Sequence, residues 1–86
     1  MAYAHITDTT ATVVDSGTIR KAFIQVNAAL TGTITVYDAI GGATSPVVAI
    51  ITNPTVGSQY EYNTLATGFK VVASGACDIT AQTITR

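Results

Sequence analysis

Nowhere in this chain do apolar residues recur at the 3.6-residue period that would bury one stripe of a helix. They come instead in short runs of Val, Ile and Thr, cut at brief intervals by Gly, Asn, Asp, Ser or Pro. β-Branched side chains are stiff at χ1 and pack well on a pleated, half-buried surface. Thr alone makes up about a fifth of the residues. Turn residues set this close together leave no room for the crossover helices that a parallel sheet requires. The pattern therefore predicts an all-β fold: a single small antiparallel β-sandwich of seven to eight short strands. Jelly-roll, Ig-like Greek-key and barrel arrangements all fit it.

The expected strands are as follows. The segment 1–12 is an extended N-terminal arm or an edge strand, and 13–86 is the β-sandwich domain. Ala11 to Val14 ends at the turn Asp15-Ser16-Gly17. Thr18 to Asn27 is the longest run, with Ile19 and Phe23 on one face and Ala22, Ile24 and Val26 on the other. That double-faced pattern predicts a central strand, or a bulge that swaps faces midway. Thr33 to Asp38 alternates, with Ile34 and Val36 inward. Residues 39–46, with Gly41-Gly42, read as a flexible loop. Val47 to Ile51 is a continuous apolar run of the kind found in a buried strand. Ser58 to Tyr62 sets Tyr60 and Tyr62 against Gln59 and Glu61. Phe69 to Ala73 puts Phe69, Val71 and Ala73 on one face, and Asp78 to Ile84 closes the domain.

The chain has 86 residues, which is one domain. Charged residues are 10% of it, against roughly 25% in an ordinary soluble domain, and the net charge is −1. Phosphate binding needs clustered positive charge, so nucleic acid is not expected as a partner. Docking on an anionic membrane is excluded on the same ground. No apolar run is long enough for a transmembrane helix, and no signal peptide is apparent. A domain this short is marginal without a staple or a partner, and the single Cys77 allows no internal disulfide. Association with copies of itself or with a larger assembly is the expected remedy.

The residues that could carry chemistry are few. His5 is the one imidazole and Cys77 the one thiol, so a nucleophile–base pair would have to be built from these two. Asp8, Asp15, Asp38, Glu61 and Asp78 are scattered, and turns account for Asp15 and Asp78. They form neither a calcium loop nor an evident pair for glycoside hydrolysis. No catalytic, cofactor-binding or metal-binding residue is predicted, and no cofactor. What remains is a set of candidate contact residues. Tyr3, His5 and Ile6 lie in the N-terminal segment, and Tyr37, Tyr60 and Tyr62 could form an aromatic surface.

Several stretches together resemble a known family. They are Gly17-Thr18-Ile19, Ile24-Gln25-Val26-Asn27, Gly32-Thr33-Ile34-Thr35-Val36-Tyr37-Asp38, Tyr60-Glu61-Tyr62, Gly68 to Gly75, and Asp78-Ile79-Thr80. The pattern is similar to the small β-sandwich structural proteins of tailed bacteriophages, among them capsid decoration, or cement, proteins. Related folds occur in head fibres and tail appendages. The resemblance spans about residues 17 to 83, and its motifs are strand and turn signatures that transfer no active site. It implies a non-enzymatic virion protein, assembled in the host bacterial cytoplasm and placed on the capsid surface. The implied partners are the major capsid protein and the chain itself as a homotrimer, with the N-terminal segment offered to the shell. The alternative is a receptor- or glycan-binding module of a fibre or tail appendage, acting through its loops and tyrosines.

Overall fold

The computed structural model describes residues 2–44 and 46–84. It contains eight strands and no helix: β1 (Ala2–Ile6), β2 (Thr12–Ser16), β3 (Ile19–Ala28), β4 (Thr33–Tyr37), β5 (Val47–Thr52), β6 (Gln59–Leu65), β7 (Gly68–Ala73) and β8 (Asp78–Ile84). They form two four-stranded sheets, ordered β1-β8-β3-β6 and β2-β7-β4-β5, hereafter the first and second sheets. Every pairing is antiparallel. This strand order is that of the jelly roll, in which two Greek keys interleave. Only β4 and β5 are a hairpin of consecutive strands; every other connection crosses between the sheets.

The core lies where the inner faces meet. Ile34 and Val36 of β4 and Phe69 and Val71 of β7 face it from the second sheet, as alternation predicts. Ile24 and Val26 of β3 and Ile79 and Ala81 of β8 face it from the first. In β3 the buried set changes phase, from Ile19 to Ala22, Ile24 and Val26. The β3–β6 register runs through this point unshifted. The change falls at Arg20, opposite Thr64, whose φ is 56°. A left-handed residue turns the strand, so Ile19 and its partner Leu65 are both buried while Lys21 and Asn63 are not.

One alternative is resolved and two expectations need revision. Of the two forms expected for residues 1–12, the described residues take the edge strand: β1 pairs with β8 from Ala2↔Thr83 to Ile6↔Ile79. The segment is thus built into the sandwich rather than projecting from it. Val47–Thr52 is not a buried strand. It is the outer edge of the second sheet, and Val47, Val48 and Ile50 are exposed while Ile51 is buried. The loop after β4, expected to be flexible, is also tied down, by a hydrogen bond from the Lys70 ammonium to the Ala43 carbonyl.

A cross-sheet hydrogen bond closes the β1/β2 side. The fully buried Thr83 hydroxyl donates to Asp15 Oδ2 at 2.6 Å and accepts from the Ala2 amide at 3.1 Å. One side chain on β8 thereby links the edge strands of both sheets. The Thr83 bond holds the Asp15 carboxyl below its ordinary value, against the opposing effect of burial.

Candidate functional site

Asp15, Asp38, Lys70 and Asp78 are engaged in holding loops and edges. Asp38 ends β4 and reaches the tight β6–β7 turn. Its Oδ2 accepts from the Ala66 amide at 2.9 Å, and Oδ1 accepts from Thr67 at 2.7 Å and Gly68 at 3.1 Å. Burial pushes its pKa up, but the three amide donors prevail and the carboxyl titrates below the usual range. The following loop then folds back over β7. Lys70 points to the outer face of the second sheet, yet it is only 4% exposed because this loop covers it. Its ammonium donates to the Ala43 carbonyl at 2.8 Å and sits 5.5 Å from the centre of the Tyr37 ring. The carbonyl and the ring face offset some of the cost of burying that charge. Gly68 is part of the same closure: a Cβ there would lie 2.6 Å from Ile40 Cγ2 and 2.7 Å from the Ala39 carbonyl oxygen.

His5 and Cys77 lie at one corner but do not form a catalytic pair. His5 Nε2 contacts Asp78 Oδ1 at 2.5 Å, and both side chains are about half exposed. Asn27 Nδ2 donates to the same oxygen at 3.1 Å and to Thr80 Oγ1 at 3.0 Å. The His5 and Asn27 bonds lower the Asp78 pKa. The Cys77 thiol faces the Ile6 carbonyl at 3.5 Å. Burial, with Asp8 and Asp78 nearby, raises its pKa, which is the opposite of what activates a thiolate. Among the described residues no group of three or more His, Cys, Asp or Glu could hold a metal ion. Among the described residues no helix is long and apolar enough to cross a membrane.

Of the residues expected to make contacts, Ile6 is 3% exposed and belongs to the core. Its position as the last residue of β1, facing inward, removes it from any docking surface. The three tyrosines do not share a surface. Tyr60 and Tyr62 pair with the buried Ile24 and Ala22, so they face the inside of the sandwich at its β6 edge and pack against the core. Tyr37 faces outward on the other sheet, beside Lys70. Alternation separates them: the residues of β6 that face out are Gln59, Glu61 and Asn63. Tyr3 and His5 do lie on a common face, the outer side of the first sheet.

Register assembles a continuous row on that outer face. Tyr3 lies opposite Gln82, Gln82 opposite Phe23, and Phe23 opposite Glu61. The next row is His5, Thr80, Gln25 and Gln59. Between β8, β3 and β6 the surface dips into an open groove of about 290 Å³, with Phe23 flanked by Gln25, Gln59, Gln82, Glu61 and Thr80. Gln25, Gln59 and Gln82 make no side-chain hydrogen bond among the described residues. The sequence gives no sign of this grouping, because it depends on which strands pair.

The second sheet presents a different surface. Among the described residues seven large hydrophobic side chains are exposed, and five of them (Ile40, Val47, Val48, Ile50 and Val56) fall on β5 and its two flanking loops. Residues 39–60 contain no Asp, Glu, Lys, Arg or His. Comparison with protein families, curated proteins and solved structures finds no match for this chain.

Proposed function

We propose that this chain is a non-enzymatic structural protein of a tailed-phage particle, a decoration protein that binds the head shell and adds to its stability. One observation carries the reading. The charged groups described above serve the fold, while an uncharged apolar surface remains outside at β5 and its flanking loops. Exposed apolar side chains gathered along one strand and its loops on a small domain favour association. The resemblance of the strand and turn motifs supplies the phage context. The test is copy number: purified particles are dissociated and this chain is quantified against the major shell protein. Near-stoichiometric amounts are expected. A handful of copies, or none, contradicts decoration.

A second reading has its own observation, the groove around Phe23. A half-exposed ring can face the CH groups of a sugar while unpaired amides donate to and accept from its hydroxyls. That would make the chain a glycan-binding module of a fibre or tail appendage, acting through a sheet face and not through loops. A glycan array run with the native chain and with Phe23→Ala decides it. Binding lost in Phe23→Ala supports this reading, and no binding by either protein dismisses it.

A further inference from the structure

We propose that β5 is a self-pairing edge: a second copy of this chain adds its own β5 in antiparallel register, joining the two second sheets into one eight-stranded sheet. The argument begins with the four edge strands. An open edge invites another strand, and proteins normally blunt it with charge, bulges or inward-pointing polar groups. β6 carries Glu61, ion-paired to Lys21 at 3.1 Å, and the left-handed Thr64. β2 carries Asp15 and a break in register between Val13 and Asp15. β1 carries His5, held by Asp78, and lies beside β2. β5 carries no charged side chain, and its one bulge, at Val48, leaves the ladder to β4 regular over Ala49–Thr52. Pro46 and Pro54 flank it but do not interrupt it.

The lack of charge lets a second copy occupy the edge, and the strand's own register makes it self-complementary. In a two-fold contact each residue near the axis meets a residue of the same patch. A charged patch would repel itself, and a patch that binds a charged partner would carry the opposite sign. Residues 39–60 carry neither sign. Side-chain direction then fixes the register. Antiparallel partners share a face, so the outward-facing residues Val48, Ile50 and Thr52 must meet one another. Centring the pair on Ala49 would use Val47, which lies beyond the irregularity between Val47 and Ala49. Centring it on Ile50 uses the regular stretch Ala49–Thr52 together with Val48, the extra residue of the bulge. Ile50 then faces the partner's Ile50, and Val48 faces the partner's Thr52. Ile50 is 61% exposed in the single chain, so the pairing sets two apolar side chains in contact and covers one flank of each at no cost to the existing core.

The pairing does not depend on the phage reading, because it is tested on the purified chain alone. Sedimentation and light scattering over a range of concentrations should show a dimer. Ile50→Lys sets two ammonium groups face to face at the axis and should weaken the dimer by about a hundredfold or more. Its melting curve at high dilution should match the native chain's, since the side chain lies outside the core. Ile50→Cys in a Cys77→Ala background should crosslink on oxidation, and Val13→Cys, exposed on the opposite edge of the same sheet, should not. A monomer at all concentrations overturns the proposal, as does a dimer indifferent to Ile50→Lys. A trimer also overturns it, since two-fold pairing closes at two copies. Crosslinking at Val13 but not at Ile50 would place the contact elsewhere and overturn the assigned edge.

Discussion

β5 and β6 are the edge strands on the same side of the sandwich, one in each sheet, and they are built by opposite rules. β6 alternates: Tyr60 and Tyr62 pack inward while Gln59, Glu61 and Asn63 face water. Its alternation is visible in the sequence, although the tyrosines expected to form a surface are the residues that turn inward. β5 is apolar on both faces, Ile51 inward and Val48 and Ile50 outward. Such a run is normal for a strand covered on both sides. On an exposed edge it means that the covering is supplied from outside the chain. A solvated edge shows its face in the alternation of its sequence, whereas an edge that is half of an interface looks like core.

The sharpest way to break this comparison is within β5 itself. Ile51→Ala should cost about 2–4 kcal/mol in denaturant unfolding, because the side chain packs into the core. Ile50→Ala, its neighbour on the other face, should stay within about 0.5 kcal/mol of the native chain at dilutions where copies are separate. Equal losses at the two positions would mean that both faces of β5 are covered within the monomer.

The loop leading into β5 comes next in size. Asp38→Ala removes the acceptor for three backbone amides and should cost about 1–3 kcal/mol. Proteolysis within residues 39–46 should also accelerate, because Asp38 anchors the start of that loop. The same carboxylate sets a pH dependence. Asp15, Asp38 and Asp78 all titrate below the ordinary value of 3.8 when folded. The unfolded chain therefore takes up protons first as acid is added. Their contribution is present in full above about pH 5, begins to fall near the unfolded value of about 3.9, and is lost as pH drops through the depressed folded values. Stability measured from pH 6 to pH 2 should be level at first and then decline. The decline should be shallower in Asp38→Asn, and an identical profile would remove Asp38 from this role.

The smallest effect belongs to β6. Lys21 and Glu61 are both nearly half exposed, so a double-mutant cycle should return a coupling of only about 0.2–1 kcal/mol. The pair blunts an edge; it does not hold the fold. Removing both charges together should leave the melting temperature almost unchanged while increasing aggregation at high concentration.

The sequence and the structure agree where a face is decided locally. Inward Ile34, Val36, Phe69 and Val71 follow from period-two alternation alone, and so does the all-β class. The face change in β3 is also legible, though not its means, since Thr64 lies on the partner strand. Strand order is not legible, because the six connections that cross between the sheets leave no local mark of which strand they will pair with. The groove around Phe23 and the binding of Asp38 to a turn 28 residues away depend on that order, so they are invisible as well. The N-terminal segment is ambiguous for another reason. An arm and an edge strand have the same composition, and only the pairing with β8 separates them.

Amide hydrogen exchange, recorded at low and high protein concentration, tests the central claim most directly. Half of the β5 amides face β4, and the others face outward from the sheet edge. The account predicts that protection at the outward-facing amides between Val48 and Thr52 rises with concentration, while β6 amides keep the same rates throughout. Rates in β5 that stay fast and concentration-independent, like those of an ordinary solvated edge, would contradict it.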